Sequence, residues 1–206
     1  MNIFFLLLLA FFIGSIPFGF LIAKVKGVDI RKQGSGNIGA TNVGRVLGKK
    51  WGTLVFILDV LKGTGAVALG LFLFSKLEKS SSPEAWFEVG LGLAVVLGHN
   101  YCPWLKGKGG KGIATSLGVL IIVFPYAAMW ALGAWLIAFA ITYYVSIGSL
   151  AACLALIVSG LYYYGWGVKG TSCLFLGIMA IIRHRSNIVR LWQGKEFRSF
   201  RKKDQS

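Results

Sequence analysis

Residues 34–45, Gly-Ser-Gly-Asn-Ile-Gly-Ala-Thr-Asn-Val-Gly-Arg, form a polar, glycine-rich stretch between two strongly apolar segments. A second stretch of the same kind, Lys-Gly-Lys-Gly-Gly-Lys-Gly, covers residues 106–112. Glycines let backbone amides approach an anion closely, and neighbouring cations strengthen the attraction. We call these stretches the first and second glycine loops. With the basic C-terminal tail, they predict one phosphate-binding surface beside a membrane.

The composition indicates an integral membrane protein. Apolar residues make up 56% of the 206-residue chain, and the mean hydropathy is +0.70. The net charge is +15, but the cations lie between apolar segments. Anionic lipid or phosphorylated metabolites are therefore better partners than nucleic acid. We treat residues 1–206 as a single membrane-embedded domain.

Cysteine and histidine are too sparse to form a metal site. Cys102, Cys153 and Cys173 are far apart and odd in number, which fits neither a disulfide framework nor a zinc pattern. The chain has only two histidines, His99 and His184, and few carboxylates. We therefore expect no metal ion and no cofactor.

Five charge-poor stretches mark the membrane-spanning part of the chain. A span needs about 20 apolar residues, and three segments near residues 3–23, 53–74 and 86–101 fit single spans. We take the first of these as a retained span rather than a cleaved signal peptide. Two further stretches, 113–144 and 150–182, are too long for one span, since 32 residues of helix extend about 48 Å.

Pro125 and the glycines of residues 165–170 predict where these two long stretches break. The fold class is therefore all-α, a polytopic helical bundle of about seven transmembrane helices, with five as the alternative. Of the 22 Lys and Arg residues, 18 lie in residues 24–51, 103–112 and 183–206. The positive-inside rule places these segments in the cytoplasm, the N-terminus outside and the C-terminus inside.

Both glycine loops match the letters G-x-G-x-x-G, but neither has the strand context of a dinucleotide-binding fingerprint or the spacing of a P-loop. Their glycine amides, polar side chains and cations still suit an anion, and a helix beginning at Ile113 adds partial positive charge. The simpler alternative is two flexible turns. The candidate binding residues are Gly34, Ser35, Gly36, Asn37, Thr41, Asn42, Arg45, Lys108, Gly109, Gly110 and Lys111.

Asp59 and Lys62 lie three residues apart inside an apolar segment. Either they pair with each other and merely tolerate burial, or Lys62 reaches the cytoplasmic site while Asp59 orients it. His99 and His184 both fall at predicted cytoplasmic helix ends. His184 is the better candidate for a general base, because Asn187 and several arginines lie close to it in sequence.

Several motifs in order resemble one known family. They are Gly14-Ser-Ile-Pro17, the first glycine loop, Gly98-His99 with residues 108–115, Arg183-His-Arg-Ser-Asn187 and Gly194-Lys-Glu196. Together they resemble the bacterial acyl-phosphate-dependent glycerol-3-phosphate acyltransferases, the PlsY family, over nearly the whole chain.

The resemblance implies a seven-span enzyme of the bacterial inner membrane with its active site on the cytoplasmic face. It would transfer a fatty acyl group from acyl phosphate to glycerol-3-phosphate, giving lysophosphatidic acid and phosphate, the first acylation of phospholipid biosynthesis. Neither acyl-CoA nor acyl-carrier protein would serve as donor. The implied partners are the two substrates, the lipid bilayer and a soluble enzyme that produces the acyl phosphate.

The resemblance also assigns roles to individual positions. Ser35, Asn37 and Arg45 belong to the family's first phosphate-binding motif, and Lys111 matches its essential lysine. Matches to the later motifs are Ser149, His184, Asn187, Lys195 and Glu196. The sequence departs from the family at Gly107, where an aromatic residue is usual, and at Tyr143, where an arginine is common.

These residues suggest a mechanism without a covalent intermediate. Acyl phosphate is a mixed anhydride, so the glycerol hydroxyl can attack its carbonyl while Ser35, Asn37, Arg45 and Lys111 hold phosphate. The general base is either His184 or the phosphate of glycerol-3-phosphate itself. A carrier or flippase for an anionic lipid or phosphorylated solute is the alternative function, and midplane charges would favour it.

Overall fold

The structure, a computed structural model, describes residues 3–78 and 83–199, and this part contains helices and no strand. Residues up to Pro125 form one compact unit, and residues from Tyr126 onward form a second. The α-helices are α1 Ile3–Ser15, α2 Phe18–Val25, α3 Ala40–Leu47, α4 Lys49–Glu78, α5 Ala85–Asn100, α6 Ile113–Val123, α7 Pro125–Thr142, α8 Val145–Tyr164, α9 Val168–Arg183 and α10 Arg185–Trp192.

Both long apolar stretches are divided where the sequence predicts. The first separates into α6 and α7 at Pro125, whose ring removes a backbone donor. The second separates into α8 and α9 at Gly165, where φ is +63°. Among the described residues, four helical segments have the length and hydropathy of membrane spans: 3–25, 49–77, 125–142 and 145–164. Helix α6 is apolar but shorter, with 11 residues, and α5 and α9 have 16 residues each.

Glycine contacts let the helices of the first unit pack closely. A Cβ at Gly14 would overlap the Val95 carbonyl, which brings α1 against α5. Gly63 and Gly118 play the same part between α4 and α6, where Thr64 also donates to the Gly118 carbonyl at 3.0 Å. Small residues at helix contacts are typical of membrane bundles, because tight backbone approach replaces the hydrophobic effect there.

One hydrophobic cluster supports both glycine loops. Ile38 and Val43, from the first loop, share this cluster with Cys102 and Leu105, from the turn that leads into the second. Its other buried members are Ala23, Ile30 and Val55. Both loops therefore pack against the same hydrophobic cluster within the first unit.

In the second unit, α8 packs against α9 through two glycines. A Cβ at Gly160 would overlap the side chain of Cys173, and one at Gly177 would overlap Ile157. The turn between α7 and α8 places Tyr143 at φ +60°, a left-handed conformation that is rare for a bulky residue. The short helix α10 follows α9 directly after His184.

Candidate active site

The first glycine loop is built around the side chain of Asn42, which is 2% exposed. Its Oδ1 accepts hydrogen bonds from the Ser35 amide at 2.8 Å and from Arg45 Nη1 at 3.2 Å. Its Nδ2 donates to three backbone carbonyls, those of Ile30 (3.3 Å), Gln33 (3.0 Å) and Asn37 (2.9 Å). Asn42 therefore organises the loop from within, because the amide side chain has both donors and acceptors.

Two further features fix the shape of this loop. Asn37 Oδ1 accepts from the Gly39 amide at 2.7 Å, a local turn just before α3 begins. Gly34 and Gly36 have φ of +58° and +72°, and a Cβ at Gly34 would overlap Asn42 Oδ1. Position 34 therefore requires glycine for two reasons: its backbone has a positive φ, and the Asn42 side chain occupies the space that a Cβ would need.

The remaining candidates of the first loop face outward. Thr41 and Arg45 are exposed, and Ser35 is half-buried. Among the described residues the Ser35 hydroxyl makes no hydrogen bond. Arg45 lies one turn into α3 and is held to Asn42 by one guanidinium nitrogen. This arrangement presents a hydroxyl and a guanidinium from one rigid loop, which suits a phosphate group.

The second glycine loop is held by backbone hydrogen bonds to the end of α5. The Gly109 amide donates to the Asn100 carbonyl at 3.2 Å, and the Gly110 amide donates to the His99 carbonyl at 3.1 Å. The ring of His99 lies directly against Gly110, where a Cβ would overlap Nε2. Gly112, at φ +85°, caps the N-terminus of α6.

The lysines of this loop differ in exposure. Lys108 is exposed, whereas Lys111 is half-buried and immediately precedes the cap of α6. The helix begins at Ile113, as the sequence predicts. Its first-turn residue Thr115 is completely buried rather than presented to a ligand. Lys111 therefore adds its charge to the partial positive charge of a helix N-terminus.

Asp59 and Lys62 do pair, at 2.7 Å between Oδ1 and Nζ, and both are buried. Lys62 Nζ also lies 2.9 Å from His99 Nδ1 and 2.8 Å from the Ile16 carbonyl. Lys62 Nζ therefore has two hydrogen-bond partners, His99 and Ile16, and forms an ion pair with Asp59. We call Asp59, Lys62 and His99 the buried ionic cluster. The sequence alone did not predict that His99 joins the pair, although an i, i+3 charge pair within an apolar helix is a visible signal.

The pKa values of Asp29 and Cys102, both in loops of the first unit, are shifted. The hydrogen bonds and charge of Arg31 lower the pKa of half-buried Asp29 to about 2. Burial raises the pKa of the Cys102 thiol, whose Sγ donates to the Ser15 carbonyl at 3.1 Å. Cys102 thus stays protonated near neutral pH and is a poor nucleophile.

In the second unit, His184 and Asn187 are buried at the junction of α9 and α10. His184 Nδ1 lies 2.8 Å from the Ala180 carbonyl. Because a carbonyl only accepts, Nδ1 carries the proton, and the neutral ring has its lone pair on Nε2. Asn187 Nδ2 donates to Glu196 Oε1 at 2.9 Å.

The two residues of the C-terminal motif have different environments. Glu196 accepts from Asn187 with one oxygen and from Arg190 Nε with the other, at 2.8 Å. Its carboxylate therefore orients Asn187, and its negative charge is unsuited to direct contact with a phosphate. Lys195 is exposed, and its amide donates to the Arg190 carbonyl at 2.8 Å.

The start of α8 contains the remaining candidate, Ser149. Its side chain is buried, and Oγ donates to the Val145 carbonyl at 2.9 Å. At the preceding turn, Arg198 lies over the ring of Tyr143 at 5.4 Å, and the Ser199 amide donates to the Tyr143 carbonyl. Arg198 therefore brings a cation next to Tyr143.

Comparison with known proteins identifies the family. A sequence model of the family described as "Glycerol-3-phosphate acyltransferase" matches residues 4–194. The chain belongs to this family. It is an acyltransferase.

Relatives named glycerol-3-phosphate acyltransferase match over nearly full length. The one from Aquifex aeolicus is 44% identical over 199 residues, covering 96% of this chain and all of the relative. The one from Myxococcus xanthus is 45% identical, covering 94% of this chain and 97% of the relative.

Two solved structures of an integral membrane glycerol 3-phosphate acyltransferase, PlsY, share this fold. The glycerol 3-phosphate form has a TM-score of 0.83 at 43% identity and covers 96% of each chain. The lysophosphatidic acid form has a TM-score of 0.79 at the same identity, covering 96% of this chain and 95% of the other. The chain is thus an integral, multi-pass membrane member of the family.

Proposed function

We propose that the protein transfers a fatty acyl group from acyl phosphate to glycerol-3-phosphate, forming lysophosphatidic acid and phosphate. The observation that carries this proposal is the likeness to a solved enzyme that exists in both a glycerol 3-phosphate form and a lysophosphatidic acid form. The two glycine loops, each with a cation at its end, support it from this chain's own residues.

The chemistry of the donor and the state of the cysteines support acyl phosphate as the proposed donor. The donor's carbonyl is already activated by a phosphate leaving group, so the reaction needs no acyl-enzyme. The three cysteines are buried, and the pKa of Cys102 is raised, which supports a reaction without a thiol nucleophile. A donor that carries its own phosphate also matches a protein with two anion-binding loops. We therefore propose that neither acyl-CoA nor acyl-carrier protein is used.

In the first unit, we assign phosphate binding to the hydroxyl of Ser35, the guanidinium of Arg45 and the ammonium of Lys111. Backbone amides of the glycine loops supplement them. Asn42 acts by shaping the first loop rather than by contacting substrate, because five hydrogen bonds engage its side chain. Fixed donors of this kind stabilise the charge that develops on the oxygens of the transition state.

In the reaction, the glycerol hydroxyl oxygen forms a bond to the acyl carbonyl carbon, and the bond from that carbon to the phosphate oxygen breaks. The hydroxyl proton passes to a base. His184 can serve through Nε2, because its Nδ1–H is committed to the Ala180 carbonyl. The phosphate of glycerol-3-phosphate is the alternative base. We assign Asn187, oriented by Glu196, as a hydrogen-bond donor or acceptor for substrate.

We also propose seven spans, formed by the α1–α2 pair, α4, α5, α6, α7, α8 and α9, in the cytoplasmic membrane. The breaks at Pro125 and Gly165 support this number over five. The N-terminus would lie outside and the glycine loops in the cytoplasm. A cysteine introduced at Ile147 tests the topology: labelling by an impermeant reagent from outside would contradict seven spans.

The activity is tested with purified protein, palmitoyl phosphate and labelled glycerol-3-phosphate, without metal or CoA. We expect labelled lysophosphatidic acid in amounts that match the phosphate released. A parallel reaction with palmitoyl-CoA should give none. Product formed only from the thioester, or no product from either donor, would overturn the proposal. A His184→Gln variant with a normal rate and pH profile would assign the base to the substrate phosphate.

A further inference from the structure

We propose that Asp59 and Lys62 are positioning residues that hold the second glycine loop, and hence Lys111, through the ring of His99. This inference rests on the proposed function, since it assumes that Lys111 binds a substrate phosphate. Neither carboxylate nor ammonium is accessible to substrate, because Asp59 is 3% exposed and Lys62 is 6% exposed.

The contacts define a chain that runs from the helix core to the loop. Asp59 Oδ1 contacts Lys62 Nζ at 2.7 Å, and Lys62 Nζ contacts His99 Nδ1 at 2.9 Å. An ammonium can only donate, so a charged Lys62 makes Nδ1 the acceptor and places the proton of a neutral ring on Nε2. That edge of the ring faces Gly110, which leaves no room for a Cβ.

The same ammonium ties a third element into the cluster. Lys62 Nζ donates at 2.8 Å to the Ile16 carbonyl, at the break between α1 and α2. Pro17, which follows, has no amide hydrogen and interrupts the helix there. One cation thus joins the α1–α2 break, the middle of α4 and the end of α5. A buried charge that joins three elements sets the rotation of each, which a nonpolar contact would leave looser.

His99 holds the second glycine loop at two points. Its carbonyl accepts from the Gly110 amide at 3.1 Å, and its ring packs on Gly110 itself. Gly110 is followed at once by Lys111 and by the cap of α6 at Gly112. A rotation of the His99 ring would therefore push the backbone that carries Lys111. The first glycine loop is instead organised by the side chain of Asn42 from within.

The test separates positioning from simple stability. Lys62→Met alone leaves Asp59 buried without its cation, so its effect mixes folding with function. The double variant Asp59→Asn/Lys62→Met removes both charges and is expected to fold, since replacing both members of a buried pair is often nearly neutral. His99→Phe keeps a ring against Gly110 but removes the Nδ1 acceptor. Lys76→Met, an exposed lysine on the same helix, is the matched control.

Amide hydrogen exchange provides the first measurement, because it needs no turnover. We expect faster exchange in a peptide covering residues 106–112 in the double variant and in His99→Phe. Exchange in residues 34–45 should stay at the wild-type rate. Unchanged exchange in residues 106–112, or an equal rise in both peptides, would overturn the proposal. If only one of the two variants folds, its exchange in residues 106–112 decides whether the cluster holds the loop.

Steady-state kinetics provides the second measurement. For the substrate whose phosphate Lys111 binds, KM should rise about tenfold or more, with a smaller change in kcat. The reason is that a displacement of a binding group such as the Lys111 ammonium by about 1 Å weakens its interaction with substrate by a factor of this order. Loss of folded enzyme would instead lower apparent kcat and leave KM unchanged, and that result would refute positioning. If wild type makes no lysophosphatidic acid, the proposed function fails while hydrogen exchange still decides whether the cluster holds the loop.

Discussion

The two glycine loops share the letters G-x-G-x-x-G but are made rigid in different ways. The first glycine loop carries its own support, since Asn42 hydrogen-bonds to residues between 3 and 12 positions away. The second is hydrogen-bonded through its backbone to the end of α5. The end of α5 is in turn held by the buried ionic cluster, in which His99 of α5 contacts Lys62 of α4.

This difference concerns how far each loop depends on the rest of the fold. A loop organised by a local side chain keeps its shape if neighbouring helices shift slightly. A loop held through helix ends moves with those helices. The second glycine loop is therefore the one through which changes in helix packing reach the proposed phosphate site.

The largest expected effect tests whether both loops bind phosphate. Arg45→Met and Lys111→Met should each lower kcat/KM by about 10²–10³-fold, the usual cost of removing one fixed donor from a developing charge. Steady-state assays with palmitoyl phosphate and glycerol-3-phosphate measure this. Lys106→Met, an exposed lysine of the second loop, should stay near wild type. If only one of the two variants loses activity, only that loop binds phosphate.

A second substitution removes the internal support of the first glycine loop. Asn42→Asp replaces the donating nitrogen with an oxygen that faces three carbonyls, so unfolding free energy should fall by about 3 kcal/mol. Thermal unfolding in detergent measures the change. Asn37→Asp keeps the oxygen that accepts from Gly39 and should unfold near the wild-type temperature. Equal losses in the two variants would mean that Asn42 is not the organising residue.

A pair of glycine variants probes the second loop. Gly110→Ala places a methyl group against the His99 ring, so it should cost about 1–3 kcal/mol and raise KM. Gly107→Ala has open space around it and carries only the strain of its φ of +75°, about 1–2 kcal/mol. Its KM should be unchanged. Kinetics and thermal unfolding on both proteins check this, and a higher KM for Gly107→Ala would contradict it.

The smallest expected effect concerns the ion pair between Asp29 and Arg31, which precedes the first glycine loop. Because Arg31 lowers the pKa of Asp29 from 3.8 to about 2, this carboxylate contributes stability above its ordinary pKa and loses it as the pH falls toward 2. Asp29→Asn should therefore unfold at a slightly lower temperature near neutral pH, and the difference should vanish in acid. A difference that grows in acid would assign the effect to another group.

Much of the fold was predictable because apolar runs and helix breakers are local signals. Pro125 and Gly165 divide the long stretches as expected, and Ile113 begins α6. The pairing of Asp59 with Lys62 was one of two predictions, and the structure confirms it. The roles assigned to the loop cations, His184 and Asn187 stay predictions, as do the number of spans and their orientation.

Other features were beyond sequence reasoning because residue types do not reveal the direction in which a polar side chain points. Asn42 was expected to contact substrate, yet the structure uses its side chain to organise the backbone. Glu196 was grouped with the substrate-binding residues, yet it holds Asn187 and Arg190. A pattern of residue types cannot say whether a polar side chain turns toward the backbone or toward a ligand.

The sequence by itself determined the membrane class, the helical breaks, the family and the positions of the two glycine loops. The membrane class, the breaks and the loops follow from composition or from local chemistry, such as the missing donor of a proline or the backbone freedom of a glycine. The family follows from the resemblance of several motifs in order. Only the tertiary structure decided how each loop is supported. His99 meets Lys62 across 37 positions of sequence, and a contact of that range exists only after the helices have packed.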